Sequence, residues 1–293
     1  MTAGAEPVQG TLVGMPRRLF SCTPSRLNTW VDCPRAYRMK YVDRPRPTPG
    51  PPWAHNSLGA SVHNALAGWW RLPRERRTPQ GAGELLDAGW LTDGFRDEVQ
   101  SQTWRARSRE MVESYAARLH PDIEPLGVER TLGARTERLA LSGRVDRLDD
   151  REGELVVVDY KVGRRAPTTD DARGSLALAI YAVTASRTMR RPCRKVELHH
   201  VPSGEVIAWE HTDESLARHL GRAEAIADEI VAAPASEPDA YPARAGVQCG
   251  WCSLRAHCAE GQRAAPAHEP WAALPDAVPT GAAPPDAALP GTA

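Results

Sequence analysis

Glu154-Leu155-Val156-Val157-Val158-Asp159-Tyr160-Lys161 ends an apolar run on two opposite charges. Side chains two apart in an extended chain share a face, so the Asp159 carboxylate and the Lys161 ammonium stand together, about 7 Å apart along the backbone. Three valines after Leu155 describe a strand buried on both faces, which has no ordinary reason to finish in charge. Asp146, in Gly143-Arg144-Val145-Asp146 upstream, can bring a second carboxylate to that end. Two carboxylates and a lysine suit a hard divalent cation. Mg²⁺ or Mn²⁺ would take oxygen from Asp146, Asp159 and the Tyr160 backbone carbonyl, with water and a substrate phosphate completing the shell. Such a cation would stabilise charge on a phosphorane-like transition state, while Lys161 orients or helps to deprotonate the attacking water. Taken alone, Asp-x-Lys also reads as an exposed ion pair worth about 0 to 1 kcal/mol.

Two further groups carry chemistry. His63, in Gly59-x-x-x-His63, lies beside the apolar stripe Leu58, Val62, Leu66 and Trp69 of a helix starting near Ser57. Gly59, one turn earlier, leaves the imidazole unshielded; in isolation His63 reads as a half-buried core histidine. Cys249-x-x-Cys252-x5-Cys258 lies near the C-terminal end, and Cys33 sits more than two hundred residues earlier in Trp30-x-x-Cys33-Pro34-x-x-Tyr37. Four thiolates hold either Zn²⁺ or a 4Fe-4S cluster, and spacing does not choose between them. Nothing points to an oxidising compartment, which disfavours disulfides. Cys22 and Cys193 have no partners in this scheme, and His257 matters only to a zinc site.

These groups need positioning elements. Thr23 with Pro24 opens a helix through Leu27, Trp30 and Val31, and Pro34 opens a second through Tyr37 and Tyr41. Prolines at 45 to 52 mark a loop, and residues 84–119 read as helix. A meander of about three strands follows: Gly127 to Gly133, then Glu137 to Leu141 continuing through a turn or bulge at Ser142-Gly143 to Leu148, then the Glu154 strand. Residues 171–188 form an Ala-rich helix, Lys195 to Val201 and Glu205 to Trp209 a hairpin, and Asp213 caps an amphipathic helix. The order describes an α/β core with an N-terminal helical insertion and a C-terminal cysteine module.

The chain of 293 residues is 41% hydrophobic and 25% charged, enough for one domain with extensions. It lacks both the run of about 18 apolar residues of a membrane span and a secretory signal pattern, so a soluble cytoplasmic protein without a membrane partner is expected. The net charge of zero conceals an asymmetry: residues 1–80 hold 12 Lys+Arg against 4 Asp+Glu. Arg35, Arg38 and Lys40 in that basic third are candidates for nucleic-acid backbone contacts.

Gly-x-x-Asp, thirteen residues before Asp-x-Lys, with a buried valine run between and an Ala-rich helix ending in Ile180-Tyr181-Ala182, resembles the PD-(D/E)xK nuclease superfamily and within it the RecB-like exonuclease branch. One cysteine before the core and three after it is similar to the iron-sulfur nucleases of that branch, including AddB-type subunits and CRISPR-adaptation nucleases. The resemblance covers about residues 23–260. It implies a restriction-endonuclease-like core, a mixed sheet flanked by helices. Asp146, Asp159 and His63 would be Mg²⁺ or Mn²⁺ ligands, Lys161 the catalytic lysine, and Cys33, Cys249, Cys252 and Cys258 the ligands of a structural 4Fe-4S cluster, with Zn²⁺ the alternative. An acidic residue on the first core strand is also implied, Glu129 or alternatively Glu137. The glutamine usual four residues before the tyrosine is here Ala177.

The implied organisation is a disordered stretch over 1–20, one nuclease domain over 21–260 (helical part 21–120, core 121–232, cysteine module 245–260) and a disordered Ala/Pro-rich tail over 261–293. The implied function is a metal-dependent DNA exonuclease of repair or recombination, acting on single strands or duplex ends, alone or with a helicase or other repair subunit. The competing expectations are a CRISPR-adaptation nuclease and a nucleic-acid-binding scaffold subunit with a vestigial centre.

Overall fold

The computed structural model describes residues 19–275. Phe20–Cys22 is a strand, β1, so the stretch expected to be disordered over 1–20 already contributes to the sheet at its end; residues 1–18 lie outside the described residues. The Thr23 hydroxyl accepts the Arg26 N–H at 3.2 Å and caps α1 (Pro24–Asp32), with Pro24 at the first helical position as predicted. Helix α2 (Pro34–Tyr37) runs on into a π-helical turn, Arg38–Val42. The helical layer follows as α3 (Ala54–Arg71), α4 (Pro79–Ala88) and α5 (Glu98–Ala116). The single helical span expected over 84–119 is two helices, because Gly89 ends α4 and the Asp97 carboxylate caps α5 through the Gln100 N–H.

Three consecutive strands form next: β2 (Gly127–Arg135), β3 (Leu139–Arg151) and β4 (Glu154–Lys161). Ser142-Gly143, read as a turn or bulge, lies inside the continuous β3. Helices α6 (Thr169–Gly174) and α7 (Leu176–Met189) split the Ala-rich segment at Ser175, and β5 (Lys195–His200) and β6 (Glu205–Glu210) form the expected hairpin. Thr212, not Asp213, caps α8 (Asp213–Ala232), its hydroxyl accepting the Ser215 N–H.

The strands make one mixed six-stranded sheet in the order β1-β3-β4-β5-β6, with β2 also on β3; β1–β3 and β4–β5 are parallel and the remaining pairs antiparallel. Ala140 and Leu141 pair with both β1 and β2, while Arg147 and Leu148 pair with both β2 and β4. Since a strand has two edges, β1 and β4 must share the edge of β3 opposite β2. Residues 142–146 between them face a gap.

The valine run of β4 is buried on both sides, as its composition demands. Val156, Val158 and Tyr160 pack against Leu58, Val62 and Trp70 of α3 and Val112 and Tyr115 of α5, while Leu155 and Val157 pack against Leu178, Ala182 and Ala185 of α7. Short helix α9 (Ala259–Ala264) follows the cysteines. The tail expected from residue 261 is ordered through 275: Trp271 and Leu274 pack on the helical layer, the Ala54 N–H donates to the Pro270 carbonyl at 3.0 Å, and buried Gln100 donates to the Leu274 carbonyl at 2.9 Å. Residues 276–293 lie outside the described residues. Among the described residues no helix is long and apolar enough to cross a membrane.

Candidate active site

The β3–β4 ladder ends at Arg147↔Val158. One residue further the strands part, at Asp146 on β3 and Asp159 on β4. There Asp146 replaces the missing ladder bond: its Oδ2 accepts the Tyr160 backbone N–H at 2.8 Å. In a strand the N–H and C=O of one residue point to the same edge, so the Tyr160 carbonyl faces the same gap. The other carboxylate oxygen of Asp146, Oδ1, lies 3.4 Å from His63 Nδ1 on α3. Gly59, one turn before His63, borders open space: a Cβ there would meet nothing within 4 Å.

A third carboxylate reaches this spot through a distortion that the sequence does not announce. Glu129 on β2 has φ of +50°, a left-handed conformation that a non-glycine residue adopts only at a cost of about 1 to 3 kcal/mol. Across from it, side-chain alternation on β3 breaks at Asp146, since Val145 packs on the α7 side and Arg147 turns to the α3 side beside Tyr160. The paired irregularity gathers His63, Glu129 and Asp146, whose ligand atoms lie within 4.8 Å of one another. Asp159 stands beside this trio, with its Oδ2 2.8 Å from Lys161 Nζ. That oxygen is buried and makes no aligned hydrogen bond, so it retains a lone pair for a further cation.

The electrostatics follow from crowding. Burial raises the Asp159 carboxyl, Lys161 opposes that rise, and the nearby Asp146 adds to it. Burial alone would lower the Lys161 ammonium, but Asp159 holds it above its usual range, so Lys161 is a charged group and not a base in this state. Glu129 is raised by burial and by Asp146, against Arg144, His63 and Arg71. Burial disfavours protonated His63, yet the Asp146 contact and the charges of Asp159 and Glu129 outweigh it and raise the imidazole. Three crowded carboxylates, Glu129, Asp146 and Asp159, with the His63 imidazole beside them fit a hard divalent cation.

Two further side chains, Tyr181 and Arg144, stand beside the trio. Tyr181 of α7 lies against Gly143, where a Cβ would come within 2.5 Å of its ring; burial and the Asp159 and Asp146 charges push its hydroxyl up to about 12. Gly143 is thus the seat for Tyr181, which explains a glycine inside a buried strand. Arg144, exposed between Gly143 and the site, pairs with Glu129 at 2.8 Å. Glu137, the alternative to Glu129, lies outside β2 and β3, in the turn between them, and is not part of the trio.

The remaining candidates divide. Burial raises the Cys252 thiol and its neighbours Cys249, Cys33 and Cys258 add to the shift, so the four cysteines gather although they come from opposite ends of the chain. The sulfurs of Cys33 and Cys258 accept the Arg244 and Gly261 N–H groups. His257 turns to the Thr48 carbonyl. Cys22 and Cys193 are buried, with thiols pushed up by burial to about 11 and about 12, as suits inert core residues. Arg35 donates to the Tyr241 carbonyl, and Arg38 to the Ala235 carbonyl and Asp43, so both tie the N-terminal helices to residues 235–242; Lys40 is exposed.

Comparison with known proteins agrees with this architecture. The profile of the PD-(D/E)XK nuclease superfamily matches residues 21–259. No curated relative matches the sequence. Among solved structures, a provisionally assigned exonuclease from Eubacterium rectale is similar, with a TM-score of 0.48 and 11% identity over 78% of this chain and 86% of that one. The profile match runs from β1 into α9 and takes in every element that places Glu129, Asp146, Asp159 and Lys161, so the chain belongs to the PD-(D/E)XK nuclease superfamily.

Proposed function

We propose that the protein is a cation-dependent DNA exonuclease of the RecB-like kind, hydrolysing phosphodiester bonds at DNA ends or in single strands during repair or recombination. The observation that carries this reading is the convergence of His63, Glu129 and Asp146 beside the Asp159–Lys161 pair. His63, Glu129, Asp146, Asp159 and the Tyr160 carbonyl are the residues that would hold Mg²⁺ or Mn²⁺. When bound, the ion supplies Lewis-acid polarisation of the phosphate and a water of lowered pKa. Lys161 contributes a fixed positive charge that binds a phosphate oxygen and orients the water, and Asp159 holds that ammonium in place. Tyr181, seated against Gly143, stands near enough to the carboxylates to feel their charge. Lys40 and the basic N-terminal third supply backbone affinity with little sequence preference.

The test is degradation of end-labelled single- and double-stranded DNA with Mg²⁺ or Mn²⁺. Lys161→Ala and Asp159→Ala are each expected to lower the rate at least about a hundredfold. A wild-type protein that binds DNA yet cuts no faster than the variants is a scaffold subunit with a vestigial centre.

For the four cysteines the favoured group is a structural 4Fe-4S cluster. What supports a shared group is that Cys33, Cys249, Cys252 and Cys258 act on one another electrostatically although they come from opposite ends of the chain, and Zn²⁺ is the alternative occupant. An anaerobic preparation should be brown, absorbing near about 400 nm, and Cys252→Ala should lose the colour. Colourless protein containing zinc sinks the iron-sulfur assignment. Closing so long a loop, the cluster would hold α1 and α2 against the C-terminal segment.

A further inference from the structure

In this structure every site carboxylate has one basic partner: Lys161 on Asp159 at 2.8 Å, Arg144 on Glu129 at 2.8 Å, and His63 on Asp146 at 3.4 Å. A divalent ion held by Glu129, Asp146 and Asp159 would take over the work of these partners. His63 can join the ion as a neutral ligand, while Lys161 and Arg144, released from their carboxylates, become available to another anion, Arg144 always as a cation because a guanidinium does not deprotonate. For Lys161 that anion is the scissile phosphate of the proposed reaction. Arg144 stands in the same relation to Glu129 as Lys161 does to Asp159.

Its placement suits the same end. The Arg144 side chain is 69% exposed while Glu129 is only 16% exposed, so the guanidinium reaches into the site from the solvent side. Arg144 belongs to residues 142–146, the part of β3 that faces the gap between β1 and β4. A planar guanidinium with a free fork of donors is the side chain best matched to a phosphodiester. Arg71, whose charge also acts on Glu129, donates to the Val128 carbonyl and reinforces the positive rim.

Resting on the function proposed above, we infer that Arg144 is a phosphate-binding residue held in reserve: it neutralises Glu129 while the site lacks a cation, and passes to the substrate phosphodiester once a cation takes Glu129. This exchange gives one residue two effects of opposite sign. Arg144 competes with the cation for Glu129, and it assists the DNA.

The experiment measures both on the full chain. Calorimetric titration with Mn²⁺ alone should show Arg144→Ala binding the ion about two- to fivefold more tightly than wild type, the worth of an exposed ion pair. Anisotropy of labelled single-stranded DNA with Mn²⁺, in a Lys161→Ala background that spares the substrate, should show affinity about tenfold weaker with Arg144→Ala and a log-log salt slope smaller by about one. Arg144→Lys should fall between, and Arg144→Gln should match alanine, which guards against a local packing artefact. Unchanged or weaker Mn²⁺ binding, or unchanged DNA binding, overturns the inference. Wild-type protein that takes up no Mn²⁺ overturns the metal reading and this inference together, whereas normal uptake with an indifferent Arg144→Ala overturns the inference alone.

Discussion

Asp146→Asn is expected to lower DNA hydrolysis at least about a thousandfold while leaving the cation-free fold as stable as wild type or more so. Asparagine keeps the oxygen that accepts the Tyr160 N–H, so the opened end of the β3–β4 ladder retains its bond. What disappears is the central negative charge, which stands between Glu129 and Asp159 and raises both. Repulsion falls in the cation-free site, and the ligand set loses a member placed within reach of both His63 and Glu129. Activity and stability therefore move in opposite directions, as they do where function is built on unfavourable proximity. Kinetics on end-labelled DNA and urea unfolding in chelator measure the two. Activity within tenfold of wild type would remove Asp146 from the site.

The second large effect belongs to the buried α3 side of the sheet, where Tyr160 also meets the His63 ring. Arg147 is 4% exposed at its side chain and donates to Asp149 at 2.9 Å and to the Tyr160 hydroxyl at 3.2 Å. Arg151 joins Asp149 to Glu197, Glu197 meets His199, and His199 lies 2.6 Å from the Tyr115 hydroxyl. Trp70 adds a second donor to Tyr160. Arg147→Ala leaves buried acceptors without their charge and should cost about 3 to 5 kcal/mol in urea unfolding, a large share of the stability of an ordinary domain. The double variant Arg147→Met, Asp149→Leu should recover much of that loss, because two apolar groups replace a pair and no charge is left uncompensated. A single-variant loss below about 1 kcal/mol would mean that the network is solvated and carries little energy.

Much of the site was legible because its chemistry conflicts with its surroundings. Charge at the exit of a valine strand needs an explanation, and that conflict singles out Asp159 and Lys161 with Asp146 upstream, while the roles proposed for them come from the resemblance to the nuclease family. Strand pairing on either side of Ser203-Gly204, and the Thr23-Pro24 helix start, are local signals that the fold respects. Glu129 could be named only as one of two candidates, since it reaches the trio through a positive φ and a break in alternation that no periodicity encodes. Arg147 and Asp149 carry no signal of their burial, because a buried pair is written in the same letters as a solvated one. Residues 265–275 were hidden by composition: their hold on α3 and α5 comes from two backbone carbonyls together with Trp271 and Leu274, inside an otherwise Ala/Pro-rich stretch.

The gap that β1 and β4 leave along one edge of β3 also sets where the molecule can breathe. Opening a strand inside the sheet breaks ladder bonds on two sides, whereas residues 142–146 have β2 alone to part from. Within β3, local opening is thus cheaper beside Arg144 than at Arg147 and Leu148, which pair with strands on both sides. The proposed catalytic groups lie along this one-sided seam, with the Asp146–Tyr160 bond as the stitch that keeps it in register.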